Sequence, residues 1–253
     1  MNKIKKITKS KAFHICIIIV IITVILFIAG MLMLKYDVEG ETNMPFKLSK
    51  IAVISAQEGI DTGETDTKWS FNVNQGNDIY IYIDKNENYG KTEAIKSISL
   101  NNFNIQSKNN ENIKLYKPDP QEEQLIFKYK DDDIVQDIEY NADVQSDLKN
   151  LKISNQGGIL AFRCSNNNVG KYKSDDEEIN HSELLKKINI NNEDLKINIS
   201  FNLNINLESD KKYQAEVSLE LPVGDVINNG NASKEITNLD NIVFKRLQFT
   251  AIK

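Results

Sequence analysis

The stretch KINISFNLNINL, Lys196 to Leu207, decides the fold class. Ile197, Ile199, Phe201, Leu203, Ile205 and Leu207 fall on one side of an extended chain. Asn198, Ser200, Asn202, Asn204 and Asn206 fall on the other. Successive side chains of a strand point to opposite faces, so this alternation predicts a half-buried antiparallel strand. Just downstream, Tyr213, Ala215, Val217, Leu219 and Leu221 repeat the pattern against Gln214, Glu216, Ser218 and Glu220. The polar run Glu208 to Lys212 supplies a turn, so the pair reads as a long hairpin.

Working outward, a second hairpin is expected upstream. Trp69, Phe71 and Val73 alternate with Ser70 and Asn72, Gln75-Gly76-Asn77 reads as a turn, and Ile79, Ile81 and Ile83 alternate with Tyr80 and Tyr82. Further strands are expected at Phe46 to Ser55, Ile95 to Asn101, Ile113 to Lys117, Gln124 to Lys130, Leu148 to Ser154, Gly158 to Cys164 and Val243 to Ile252. One short helix is expected over Ser182 to Ile188, with Leu184, Leu185 and Ile188 on one face. Many strands with one-sided burial predict a mainly β chain built as an antiparallel β-sandwich. The acidic, weakly periodic stretch Lys130 to Lys149 reads as either a linker or a long loop. One sandwich over 44–253 is preferred to two.

The amino terminus is different in kind. Ala12 to Leu34 carries no charge and holds eight Ile with Val20, Val24, Leu26, Leu32, Leu34, Phe13 and Phe27. At 1.5 Å per residue, about 23 helical residues reach roughly 34 Å, enough to cross a bilayer core. The run is long for a signal-peptide core, and no small-x-small cleavage site follows it: Phe27 stands where a small residue is needed near Ala29 and Gly30. The expected organisation is a tail at 1–11, a transmembrane helix at 12–34, a tether at 35–43 and an extracytoplasmic sandwich at 44–253.

Charge sets the expected orientation. Lys3, Lys5, Lys6, Lys9 and Lys11 precede the helix with no acidic residue among them. Removing those five charges from the net −5 leaves about −10 on the rest. Basic residues stay on the cytoplasmic side, so the tail is expected inside and the acidic domain outside. An acidic domain lacks the basic surface that phosphate backbones require, so nucleic acid is not an expected partner. The Asn, Ile and Lys richness follows AT-rich codons and says nothing about chemistry.

Candidate sites are few. Cys16 lies in the apolar run and Cys164 in a strand-like run, so no intramolecular disulfide is expected and Cys164 reads as a small buried hydrophobe. Asp84, Asn86 and Asn88 alternate like the ligands of a calcium loop. However, Tyr89 and Ile95 stand where that loop needs Gly and an acid, so they read as a polar loop. Asp131 to Asp133 and Asp175 to Glu178 read as solvated loops in preference to calcium sites. His14 sits at the edge of the apolar run. His181 stands at a helix start, and the one histidine after that run cannot build a multi-histidine zinc site. No serine lies in a G-x-S-x-G elbow. Asn155-Gln156-Gly157-Gly158 reads as a β-turn. Tyr80 and Tyr82 lie opposite the Ile stripe and form the candidate binding face, since exposed tyrosines stack on sugars or dock proteins. No catalytic residue, cofactor or metal is expected.

Met44-Pro45-Phe46-Lys47-Leu48-Ser49-Lys50, Ser154 to Gly158, Leu221-Pro222-Val223-Gly224 and Phe244-Lys245-Arg246 resemble stretches in a family of uncharacterised single-pass membrane proteins of AT-rich Gram-positive bacteria. The resemblance covers most of the chain after the helix. It implies the architecture and no activity, because that family has none assigned.

The expected function is a non-enzymatic envelope protein binding a protein or a cell-wall glycan close to the membrane. The alternatives are an envelope hydrolase using scattered carboxylates, or a membrane-complex subunit recruited through its helix.

Overall fold

In the computed structural model of the protein, residues 11–33, 36–37, 44–117, 137–142 and 153–247 are described. The strands are β1 (Tyr36–Asp37), β2 (Phe46–Asp61), β3 (Trp69–Lys85), β4 (Ile95–Ser107), β5 (Ile113–Tyr116), β6 (Ile138–Asn141), β7 (Gly158–Ser174), β8 (Ile197–Leu207), β9 (Lys212–Leu221), β10 (Asn231–Ile236) and β11 (Lys245–Leu247). The helices are α1 (Lys11–Met33), α2 (Leu184–Lys187), α3 (Asn192–Leu195) and α4 (Val226–Asn229). One sheet has the order β1-β11-β9-β8-β4-β6 and the other β10-β2-β3-β7-β5. The pairings within each are antiparallel.

The two sheets enclose one large apolar cluster. Ile51, Val53, Ile79, Ile81, Ile83, Leu160 and Phe162 enter it from the five-stranded sheet. Ile98, Leu100 and the whole odd-numbered stripe of β8 enter it from the other. Phe162 meets Phe201 edge to face at 5.4 Å, and Phe103 closes on both rings. Each fully buried Ile, Leu or Phe contributes roughly 1.5–3 kcal/mol. The chain is thus mainly β and sandwich-like, and the β8–β9 hairpin has the register expected, Ile197 opposite Leu221 through Asn206 opposite Lys212.

The second hairpin does not exist. Trp69 to Lys85 is one strand, and Gln75-Gly76-Asn77 lies in its middle. Gln75, Gly76 and Asn77 pair with Gln57, Ala56 and Ser55 on β2, and Gly76 has none of the positive φ that a tight hairpin turn needs. A polar triplet that reads as a turn is held in the sheet by buried hydrogen bonds: Ser55 Oγ donates to Asn77 Oδ1 (2.7 Å), and Asn77 Nδ2 donates to the Cys164 carbonyl (3.0 Å).

β2, β3 and β7 run 16, 17 and 17 residues, against 11 and 10 for β8 and β9. The overhang carries a second apolar cluster. Phe71 and Val73 pack there with Leu184 and Leu185 of α2, Leu195 of α3 and Val226 of α4. Of these three short helices, only α2 falls in a stretch whose spacing predicts a helix. Asn191 and Asp225 cap α3 and α4 by accepting from the amides of Asp194 and Asn228.

At the amino terminus the chain is helical over Lys11–Met33, with side chains described at 14–15 and 17–29. Among the described residues no helix is long and apolar enough to cross a membrane. Within the expected tether, Tyr36 and Asp37 pair with Arg246 and Lys245 as an edge strand, and the rest of it lies outside the described residues. The expected strand Gln124 to Lys130, the stretch Asp131 to Asp133 and most of Leu148 to Ser154 lie outside the described residues.

Candidate functional site

Tyr80 and Tyr82 share the outward face of β3, as the alternation requires, and both are half-buried. Tyr80 stands between Ala52 and Ala161 in the register. Burial, with Asp78 adding to it, pushes its hydroxyl up to about 12. Lys50 Nζ lies 4.5 Å from the Tyr82 ring centroid and bonds Glu235 at 2.7 Å. Next along the face, Arg163 bonds Asp78 through two nitrogens (2.5 and 2.9 Å) and Glu58 at 2.7 Å. Two cations, Lys50 and Arg163, thus face three carboxylates, Glu235, Asp78 and Glu58, beside the two half-buried rings.

The other sequence candidates resolve into structural roles. Asn86 is buried. Its Nδ2 donates to the Met44 carbonyl (2.6 Å) and its Oδ1 accepts from Asn88 N (3.0 Å), so it ties a loop together. Cys164 is buried, and burial pushes its thiol up to about 12, the behaviour of an inert small hydrophobe. His181 lies in the turn before α2, edge-on to Phe71 at 5.3 Å. Asp175 Oδ1 accepts from Lys68 N at 2.9 Å in an exposed loop. The turn at Asn155-Gln156 is closed by Ser154 and Gly157, which exchange hydrogen bonds of 2.9 and 3.2 Å. Among the described residues no group of three or more His, Cys, Asp or Glu could hold a metal ion.

A site absent from the sequence candidates lies on the outward face of the six-stranded sheet. There β4, β8 and β9 present an array of amides and hydroxyls. Asn204 stands opposite Ser99 and Gln214, Asn202 opposite Asn101 and Glu216, Ser200 opposite Asn104 and Ser218, and Asn198 opposite Gln106 and Glu220.

The array has two unlike halves. In one, the side chains satisfy each other: Gln214 Nε2 donates to Asn204 Oδ1 (2.8 Å), Asn204 Nδ2 to Asn101 Oδ1 (3.2 Å), and Asn206 Nδ2 to Ser97 Oγ (3.0 Å). The other half is a groove of about 350 Å³ lined by Asn104, Gln106, Asn198, Ser200, Ser218 and Glu220. Among the described residues no side-chain hydrogen bond joins the lining amides and hydroxyls to each other. Glu220 alone is engaged, with Lys196 at 2.6 Å, and that bond holds its carboxyl below the usual range.

A β-bulge divides the halves. Asn101 faces Asn202 and Asn104 faces Ser200, so β4 spends three residues where β8 spends two, with Asn102 at φ 55°. The extra residue inverts the phase of β4. Before it Ile98 and Leu100 point inward, and after it Phe103 and Ile105 do, which turns Asn104 and Gln106 out. A strand search by strict alternation ends at Asn101 for this reason and never reaches the groove. The remaining signal, the Asn and Ser side of β8, is visible in the sequence but is masked by the general Asn richness.

The chain matches no protein-family model, no curated protein and no solved structure.

Proposed function

We propose that this is a membrane-anchored envelope protein whose sandwich-like domain is a non-enzymatic binding module on the outer face of the membrane. The α1–β1 junction carries the reading. Only residues 34–35 separate Met33 from Tyr36, and Tyr36 is in register with β11 at the edge of the six-stranded sheet. Helix and sheet edge are thus two residues apart in the chain, which supports a domain held close to its anchor.

Apart from His14 and Thr23, the described side chains of α1 are apolar on every side. Ile18, Val20, Leu26 and Phe27 are between 55 and 68% exposed, so no described part of the chain covers them. A helix of this kind needs apolar surroundings. The whole run Ala12 to Leu34 suits the hydrocarbon of a bilayer, where its large aliphatic and Phe side chains favour insertion by several kcal/mol in sum. The five lysines before it favour a cytoplasmic tail.

The register also gives a direction. β1 runs parallel to β9, with Tyr36 beyond Arg246 from Tyr213, and Asp37 beyond Lys245 from Gln214. Leaving the anchor, the sheet therefore runs toward Ser218 and Glu220, which stand roughly 17–24 Å further along β9. The open end of the array faces away from the membrane in this arrangement.

Single-cysteine labelling in intact cells tests the reading. A membrane-impermeant maleimide is expected to label Ser233→Cys, on the exposed part of β10, and to spare Ser10→Cys until the cells are opened. The protein should stay with the membrane through alkaline carbonate washing. Release by carbonate, or the reverse labelling pattern, overturns it.

A further inference from the structure

We infer that the groove across β4, β8 and β9 binds a neutral, N-acetylated oligosaccharide strand, which deepens the binding-module reading and rests on it. Three observations meet there. First, the lining is rich in paired donors and acceptors. Asn104, Gln106 and Asn198 each offer an amide N–H and C=O, and Ser200 and Ser218 offer hydroxyls. Acetamido groups and vicinal hydroxyls present the same two functions in return. Second, the lining is nearly neutral. Its single charge, Glu220, is compensated by Lys196, and the lining itself carries no basic side chain to attract a phosphate or a carboxylate polymer. Third, the site is concave and open. Its two rows on three strands make a footprint of about 10 by 7 Å, room for about two sugar rings. Its volume of about 350 Å³ lies within the usual range for small-ligand sites.

The contrast between the halves of the array points to a ligand. The same residue types on the same strands are wired to each other on one side of the Asn102 bulge and left open on the other. The exposed side chains of the open half bond water, which a ligand with matching donors and acceptors displaces. A protein partner would also use amide contacts. An extended peptide, however, gains most by pairing with a sheet edge, whereas this groove lies on the face of the sheet over the central strand β8.

The full-length protein in lipid nanodiscs should be titrated calorimetrically with chitotetraose, a neutral β-linked N-acetylglucosamine tetramer. Saturable binding is expected. Asn198→Ala with Ser218→Ala should weaken it at least about tenfold, because two ligand bonds are lost. Gln106→Ala should weaken it from the β4 side, and Lys47→Ala, exposed on β2 in the other sheet, should leave it unchanged. Asn198, Ser218 and Gln106 are exposed, so unchanged melting curves will confirm that the variants are folded. No saturable binding, equal binding by all variants, or binding of a neutral Gly-Asn peptide in place of the sugar overturns the inference. Failure here leaves the anchored topology untouched, and a failed topology experiment leaves this titration standing.

Discussion

Ser55 and Asn77 share a hydrogen bond of 2.7 Å in the interior, and both side chains are fully buried. Ser55 Oγ also accepts from Val223 N at 2.9 Å, and Asn77 Oδ1 from Gln75 Nε2 at 2.6 Å. The pair therefore stitches β2, β3 and the segment after β9 at the level where the large core gives way to the helix-covered overhang. A buried donor or acceptor left without its partner costs about 1–3 kcal/mol. Ser55→Ala orphans Val223 N–H and should lower the unfolding free energy by about that amount. Asn77→Leu breaks three bonds and should cost more. Urea denaturation measures both, and a change below about 0.5 kcal/mol for each would remove the role assigned to the pair.

The bulge at Asn102 gives a sharper expectation. A positive φ suits Asn and Gly but not a β-branched residue. Asn102→Gly should be close to neutral, and Asn102→Val should cost roughly 1–2 kcal/mol. Deleting Asn102 would turn Asn104 and Gln106 into the core and should unfold that end of the sheet. Thermal melting that ranks the deletion with Asn102→Gly would contradict the phase inversion.

Two glycines should behave differently on replacement by Ala. Gly157 has φ 122°, and a Cβ there would collide with the backbone carbonyl of Ile83, which cannot swing aside. At Gly59 a Cβ would lie 2.7 Å from Leu184 Cδ1 and 3.3 Å from the Phe71 ring, side-chain neighbours that can move. Gly157→Ala is expected to cost about 3 kcal/mol or more, and Gly59→Ala about 1 kcal/mol through a loosened α2. Denaturation midpoints in the opposite order would refute the assignment.

Glu93 gives a pH signature. Burial pushes its pKa up, but hydrogen bonds from Lys211 and Ser209 outweigh that and hold it below its ordinary 4.5. A carboxyl depressed in the folded state contributes stability that is present above the unfolded pKa and is lost as pH falls through the folded one. The melting temperature of the natural protein should drop more steeply below about pH 4.5 than that of Glu93→Gln, and the two curves should converge in acid. Parallel curves down to pH 3 would show that the pair carries no such linkage.

Much of the fold was legible because a buried face imposes a period of two. The β8–β9 hairpin, the inward stripes Ile79-Ile81-Ile83 and Leu160-Phe162-Cys164, and the helical turn at Leu184 each declare themselves locally. The misreadings have separate causes. Gln75 and Asn77 are polar residues in core positions, which composition alone reads as a turn, and the bulge at Asn102 ends the alternation of β4 early. Tyr80 and Tyr82 were placed on the right face, but their covering by Lys50 and by the neighbouring network depends on β2 and β7.

The sequence by itself therefore determined the class of the fold, the alternation of each regular strand and the apolar character of α1, because each depends on neighbours along the chain. The tertiary structure decided that Trp69 to Lys85 is one strand, that Asn102 inverts the phase of β4, and that one half of the amide array is wired while the other stays open. Those outcomes depend on which residue of a distant strand stands opposite. A hydrogen bond across strands is fixed by register, and register is set by the whole sheet.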